Sequence, residues 1–151
     1  MPVASLPTPV GPLAVTVEED AVTRLTWESG TEGEPCALLD EALSQLQAYF
    51  DGRLRTFDLP LAPQGNELHQ AVFRAMLAIP YGRTRTYGDV ARELGTYGQP
   101  VGRACGANPI PVIIPCHRIL SATGLGGYSG AGGLDTKIAL LKLEGGYPFL
   151  L

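Results

Sequence analysis

The sequence lacks the features that mark secreted, membrane-spanning and disulfide-built proteins. Its 151 residues include only three cysteines, which form neither an even framework nor a CxxC pair. No apolar run approaches the length that crosses a bilayer, and the N-terminal residues carry neither a basic start nor a long apolar stretch. These absences predict a cytoplasmic protein that binds no membrane and whose thiols are free to react.

Charge is scarce and unevenly distributed. Only 17% of the residues are charged and the net charge is −4, which taken alone argues against a nucleic-acid binder. Residues 1–62 contain three Lys and Arg against ten Asp and Glu, a net −7, whereas residues 63–151 contain eight against five, a net +3. This asymmetry is expected when one of two lobes meets phosphates, and uneven solvated faces would produce it equally well.

The hydrophobic pattern predicts an α+β fold in two parts, an N-terminal α/β lobe over 1–62 and a C-terminal domain over 63–151. Residues 8–27 alternate as a β-hairpin does, and residues 36–50 carry apolar side chains at helical spacing. Two prolines and a glycine within residues 59–66 predict the linker between the parts.

The second part is predicted to be mainly helical. One helix is expected over 66–79, and a shorter one runs from a Thr86 cap to Leu94. Pro100 suits the first position of a third helix, which would end near Ala107. Two short helices joined by a tight turn resemble a helix-turn-helix, although most such pairs never contact DNA.

The segment that ends in Cys116, His117 and Arg118 carries the chemistry. It is apolar and predicted to be a buried strand that delivers a thiol, an imidazole and a guanidinium in succession. A lone cysteine is usually a small buried hydrophobe, but cationic neighbours lower a thiol's pKa and the thiolate is the nucleophile. Adjacent strand residues point to opposite faces, so a turn at Pro115 or a bridging water would have to join thiol and imidazole. Glu144 is the leading carboxylate to orient the histidine.

Six motifs resemble those of the O6-methylguanine–DNA methyltransferases, in that family's order and at near-family spacing. They are IPYG (79–82), TYG (86–88), ANP (107–109), IPCHR (114–118), GGYSG (126–130) and LEG (143–145). The N-terminal hairpin and residues 52–60 resemble the family as well, so the similarity covers nearly the whole chain. It implies a ribonuclease-H-like N-terminal lobe, followed by a mainly helical domain with a winged helix-turn-helix-like DNA-binding unit.

The resemblance implies DNA repair by direct damage reversal. The alkyl group of O6-alkylguanine, with O4-alkylthymine as an alternative substrate, would pass irreversibly to Cys116 after minor-groove binding and base flipping. His117 would be the general base through a water, Glu144 would polarise it, and Asn108 would hold the active-site turn together. Tyr87 would crowd the 3′ phosphate and help to rotate the nucleotide out. The partner would be double-stranded DNA bound by a monomer, and no cofactor is implied.

The glycine-rich segment 124–133 is expected to contact the flipped guanine. Tyr128 and Ser129 favour a pocket wall over the alternative, a plain flexible linker. Lys137 just after it faces either a phosphate or solvent, and Arg118 is counted among the DNA contacts.

The sequence departs from the family pattern in two places. The family usually has an intercalating arginine at the start of the second helix, where an ungapped alignment places Gln99 and a gapped one would use Arg103. We favour Gln99 and expect base flipping to be weakened or stabilised differently. Some relatives hold a zinc in the N-terminal lobe, but here Cys36 is the only cysteine of that lobe and histidine is absent, so no metal is expected.

Three other functions remain to be compared. An alkyltransferase-like protein recognises damaged bases without removing the alkyl group, but such proteins lack the acceptor cysteine. A cysteine hydrolase would need an oxyanion hole and an orienting partner for its histidine. A DNA-binding regulator would use the helix-turn-helix and treat Cys116 as a sensor.

Overall fold

The computed structural model describes residues 2–30 and 32–145, and the chain divides into two compact units, Met1–Gln64 and Gly65–Leu151. The first combines a small sheet with one helix, and the second is mainly helical. The predicted α+β fold is confirmed. Across the described residues, every helix is too short or too polar to cross a bilayer.

The first unit is built on an antiparallel sheet of β1 (Val3–Leu6), β2 (Leu13–Glu18) and β3 (Ala21–Thr26), in the order β1-β2-β3. The predicted hairpin is confirmed, and its two-residue loop has positive φ at Glu19 (49°) and Asp20 (63°), the twist that joins adjacent strands tightly. Strand β1 was not predicted, because it is short and is defined by its pairing with other segments, chiefly β2.

Helix α1 (Ala37–Phe50) packs on β2 and confirms the helix predicted from the apolar spacing. It buries Leu39, Ala42, Leu46 and Tyr49, which recur at intervals of three and four residues and therefore share one face.

The predicted linker over 59–66 is partly wrong. Val22 donates its N–H to Pro60 O at 2.8 Å and accepts from Ala62 N at 2.9 Å, so residues 60–62 pair with the outer edge of β3. The edge strand's backbone groups need partners, and a proline can still supply a carbonyl.

The second unit contains four helices, one short 3₁₀ helix and two two-residue strands among its described residues. In chain order they are α2 (Glu67–Leu77), β4 (Arg85–Thr86), α3 (Tyr87–Leu94), α4 (Gly98–Gly106), the 3₁₀ helix (Cys116–Arg118), β5 (Ile119–Leu120) and α5 (Leu134–Glu144). Strands β4 and β5 pair in parallel, with Arg85 opposite Ile119 and Thr86 opposite Leu120.

The caps of α2 and α3 follow their sequence signals. The Asn66 side chain accepts from His69 N at 2.8 Å. Thr86 and Asp89 form a reciprocal capping box at the start of α3, and Gly95 ends that helix at φ 69°. The helices predicted over 66–79 and from Thr86 to Leu94 are therefore confirmed.

Helix α4 begins earlier than predicted. Tyr97 is its N-cap and Gly98 its first residue, so Pro100 occupies the third helical position rather than the first. A proline is tolerated there because the first N–H groups of a helix have no partner within it. Gln99 consequently lies inside the first turn.

The strand predicted before Cys116 is wrong. Residues 111–114 form turns, although Ile110, Val112, Ile113 and Ile114 are all buried. A short apolar run reports burial, and burial alone does not distinguish a strand from a packed turn.

We expect Asn66→Ala to lower the free energy of unfolding by about 1 kcal/mol, because an N–H at the start of α2 loses its acceptor. Urea denaturation followed by circular dichroism measures the loss. Asn66→Ser, which keeps a capping oxygen, serves as the matched control. Equal stability of the alanine and serine variants would contradict this role of the cap.

Candidate active site

A buried asparagine shapes the turn that leads to the reactive thiol. Asn108 Nδ2 donates to Ile114 O at 2.9 Å, and its Oδ1 accepts from Ile110 N at 2.9 Å. A backbone bond from Ile114 N to Ile110 O, also 2.9 Å, closes the turn. Val112 inside it has φ 73°, a conformation that a β-branched residue seldom adopts without such support.

Cys116 is the first residue of the 3₁₀ helix and is only 6% exposed. Burial raises the pKa of its thiol above the ordinary value, while a hydrogen bond from Asn108 and the charge of Lys137 act in the opposite direction. Burial is the largest of these effects, so the resting group is a thiol. A nucleophilic role therefore requires a base that removes its proton.

His117 supplies a neutral imidazole next to that thiol. It is fully buried, and its Nε2 lies 2.7 Å from Oε2 of Glu144. Burial lowers the pKa of His117, although Glu144 opposes the shift. Because the carboxylate accepts, the hydrogen is on Nε2 and the lone pair on Nδ1. Nδ1 is buried and has no hydrogen-bond partner in residues 2–30 and 32–145.

Arg118 holds the other side of the Glu144 carboxylate. Its Nε donates to Oε1 at 2.8 Å and its Nη2 donates to Oε2 at 3.0 Å. Its Nη1 donates to Ile79 O at 2.7 Å, and the guanidinium lies 5.8 Å from the centre of the Tyr81 ring. The expectation that Arg118 contacts DNA is corrected, because the guanidinium is buried and each of its three nitrogens donates a hydrogen bond within the protein.

Lys137 is also internal. It is fully buried, and its Nζ donates to Ile119 O at 2.6 Å and to Gly127 O at 3.0 Å. Burial lowers the pKa of Lys137 to about 8. The expectation of a phosphate or solvent contact is therefore corrected, and the side chain instead ties the glycine-rich segment to β5. The sequence signal was present, since Lys137, Leu140, Leu141 and Glu144 share the buried face of α5.

Cys116 opens onto a cavity of about 280 Å³. The cavity brings together residues from the start of α3, from α4 and from the glycine-rich segment. Its lining is Tyr87, Gly102, Cys105, Gly106, Cys116, Gly127, Tyr128 and Ser129. The structure thus brings Tyr87, Tyr128 and Ser129 to one cavity with Cys116, while their contacts with DNA stay predictions.

Cys105, on α4, is a further residue of the cavity lining. Its thiol lies 3.9 Å from the Met76 sulfur, and burial raises its pKa to about 12. It is therefore an inert thiol with one side on the cavity. Its position three residues after Gly102 on α4 was the available signal, since both belong to one helix face.

Two tyrosines give the cavity phenolic hydroxyl groups. Burial raises the pKa of Tyr87, while a hydrogen bond from the backbone of Gly127 acts in the opposite direction. Burial likewise raises the pKa of Tyr128. Both rings therefore stay protonated across the physiological range and can donate hydrogen bonds.

Gln99 and Arg103 lie four residues apart on α4 and are both exposed. Neither belongs to the cavity lining. They therefore share an exposed face of the helix. In the part of the chain that the structure describes, no group of three or more His, Cys, Asp or Glu side chains could hold a metal ion.

The site is that of a protein with a nucleophilic thiol, because a cysteine on a small cavity is followed by a histidine that a buried carboxylate orients. The family is given by two domain models. The 6-O-methylguanine DNA methyltransferase ribonuclease-like domain matches residues 2–63, and the DNA-binding domain of the same family matches residues 67–146. The chain belongs to the 6-O-methylguanine DNA methyltransferase family.

Relatives resemble the chain over nearly its full length. A methylated-DNA–protein-cysteine methyltransferase of Methanosarcina acetivorans is 42% identical over 148 residues, 91% of this chain and 94% of that protein. The protein of that name from Mycobacterium tuberculosis is 42% identical over 150 residues, 93% of this chain and 90% of its own.

Two crystal structures from Mycobacterium tuberculosis have the same fold. The O6-methylguanine methyltransferase superposes with a TM-score of 0.85 at 39% identity, covering 95% of this chain and 92% of that one. OGT in complex with DNA gives 0.87 at 40% identity, covering 96% and 93%.

We expect Arg118→Met to lower the free energy of unfolding by about 3 kcal/mol, because it leaves the buried Glu144 carboxylate without its guanidinium. Arg118→Lys is the matched control and should lose less, since it keeps the charge but not the two-pronged geometry. Urea titration measures both variants. A loss below about 1 kcal/mol for the methionine variant would contradict a structural role of this ion pair.

Proposed function

We propose that this protein repairs DNA by moving the alkyl group of O6-alkylguanine onto the sulfur of Cys116. The observation that carries the proposal is the position of the thiol, which lines a cavity and is followed directly by the His117–Glu144 pair. An alkylated O6 inside a duplex is covered by the base stack, so the nucleotide must leave the stack to reach such a cavity.

The geometry supports a displacement at carbon. His117 takes the thiol proton at Nδ1 through a water, and Glu144 stabilises the imidazolium through its bond with Nε2. The new S–C bond forms as the C–O6 bond breaks, and the electron pair stays on guanine. Guanine takes up one proton in place of the one that the thiol loses. The Tyr87 hydroxyl, a phenol at neutral pH, can donate to the departing base.

The reaction ends after one turnover. The product is a thioether, which lies outside the reversible steps of cysteine oxidation, so the acceptor is not regenerated. Each molecule therefore repairs one alkylated base, and the reaction as written consumes no cofactor.

DNA binding is assigned to the second unit. Residues 63–151 would bind the duplex through α3 and α4, with Tyr87 close to the phosphate of the target nucleotide and Ser129 at the flipped base. Gln99 and Arg103 are exposed on α4 and suit contacts with the groove and backbone. Residues 1–62 would form a separate structural lobe. We further propose that the protein acts as a monomer in the cytoplasm.

The presence of Cys116 separates this proposal from one alternative, the recognition protein that performs no transfer. An alkyltransferase-like recognition protein lacks that cysteine, whereas here the thiol lines the cavity. A regulator that senses alkylation would need the same transfer step first, so transfer is the chemistry to test.

Intact-protein mass spectrometry tests the proposal. After incubation with a short duplex that contains O6-methylguanine, the wild type should gain one methyl group, mapped to Cys116 and saturating at one per protein. Cys116→Ser is the matched control and should gain none. If the wild type binds the duplex but its mass does not change, the function is recognition of the lesion without transfer.

The pKa directions predict how His117 affects the pH profile. The pKa of His117 lies below its ordinary value of 6.5, so the imidazole is already neutral at neutral pH. The wild-type rate should therefore change little through neutral pH. His117→Gln must use thiolate formed by solvent, and the raised pKa of Cys116 lies above 9.0. Its rate should therefore rise about tenfold per pH unit between about pH 7 and pH 9.

Single-turnover rates of methyl transfer measure both profiles. The ratio of wild-type to variant rate should shrink as the pH rises. Titration of Lys137 is common to both proteins and cancels in this ratio. A ratio that stays constant over the range would exclude His117 as the base.

A further inference from the structure

Tyr97 is an aromatic side chain that the fold leaves in solvent. It is 80% exposed, compared with 46% for Leu77 and for Leu134, the other exposed large hydrophobic residues that the structure describes. It is the N-cap of α4, with φ −119° and ψ 163°, so it is the last extended residue before the helix.

Helix stability does not account for a tyrosine at this position. N-caps favour Ser, Thr, Asp and Asn, whose short side chains accept a hydrogen bond from the first turn. Asn66 and Thr86 do so at α2 and α3, whereas the Tyr97 side chain makes no such bond among the described residues. Packing does not account for it either, because the ring is exposed.

The position of Tyr97 next to the cavity offers a reason. A Cβ built on Gly98, the following residue, would lie 3.8 Å from Cβ of Tyr87. A Cβ built on Gly102 would lie 4.0 Å from Cε1 of the same ring. Tyr87 and Gly102 both line the cavity that contains the Cys116 thiol. Tyr97 is therefore the residue directly before the contact between the starts of α3 and α4, and its ring is exposed there.

We propose that Tyr97 inserts its ring into the base stack of the duplex and fills the space that the extruded nucleotide leaves. This inference rests on the proposed function, since only a protein that extrudes a base creates such a space. An aromatic ring can stack on any base, so the contact tolerates every sequence around the lesion. Apolar side chains are used in this way by proteins that open base steps from the minor groove.

The neighbouring residues suit other contacts. Gln99 has only a small amide plane to stack, and Arg103 carries a charge that phosphates attract. Tyr97 is neutral, so its contribution to base extrusion should depend little on salt, unlike a contact made by a cation.

Single-turnover methyl transfer from duplex O6-methylguanine, compared among wild type, Tyr97→Ala and Tyr97→Phe, tests the inference. We expect the alanine variant to react about tenfold more slowly, which is the loss of one base–aromatic stack. The phenylalanine variant keeps the ring and should match the wild type. As a readout that needs no base extrusion, the reaction of Cys116 with iodoacetamide, mapped by peptide mass spectrometry, should be the same in all three proteins.

The outcomes separate this inference from the proposed function. If the wild type transfers the methyl group and the alanine variant is equally fast, Tyr97 does not stack and the proposed function stands. Equal losses in the alanine and phenylalanine variants would assign the effect to the hydroxyl and overturn stacking. A changed iodoacetamide rate in the alanine variant would show a disturbed thiol site and overturn it as well. If the wild type itself takes up no methyl group, the proposed function fails.

Discussion

The Glu144 carboxylate connects the structure of the second unit with the chemistry of its thiol. Arg118 donates to both of its oxygens, and His117 meets one of them at 2.7 Å. A carboxylate buried without such partners would strongly destabilise the fold. With Arg118 and His117 as partners, the charge of the Glu144 carboxylate is balanced and its oxygens accept hydrogen bonds. The bond from His117 Nε2 holds the imidazole in one tautomer. The residue that completes α5 therefore also decides which histidine nitrogen can accept a proton.

Two cationic side chains that the sequence analysis expected at the DNA surface are buried inside the protein. Arg118 neutralises Glu144, and Lys137 binds the carbonyl groups of Ile119 and Gly127. The positive excess of the second unit is thus smaller at its surface than the residue count indicates. Modest surface charge fits a protein that gains much of its contact by extruding a base, because shape and stacking depend less on counterion release than phosphate contacts do.

Most of the reactive centre was predictable from sequence, and the reason lies in its local character. Asn108 bonds the backbone of a turn of a few residues that ends just before Cys116 and His117, so the family motifs around these residues carry the local geometry with them. The strand predicted before Cys116 was wrong because an apolar run reports burial and not conformation. Lys137 and Arg118 were misplaced because a cation beside a supposed DNA face looks like a surface residue. Only the tertiary structure shows which carbonyl or carboxylate it meets.

The parallel pairing of β4 with β5 has a mechanical consequence. Each strand has only two residues, yet β4 is followed immediately by Tyr87 and β5 is preceded immediately by Arg118 of the 3₁₀ helix. The pairing of the two strands therefore fixes the position of α3, which carries Tyr87, relative to the 3₁₀ helix, which carries the nucleophile. A slip of one residue in its register would move one relative to the other by about 3.3 Å, more than the length of a bond being made or broken. Alignment of nucleophile and target is thus set by four backbone positions that take no part in the reaction.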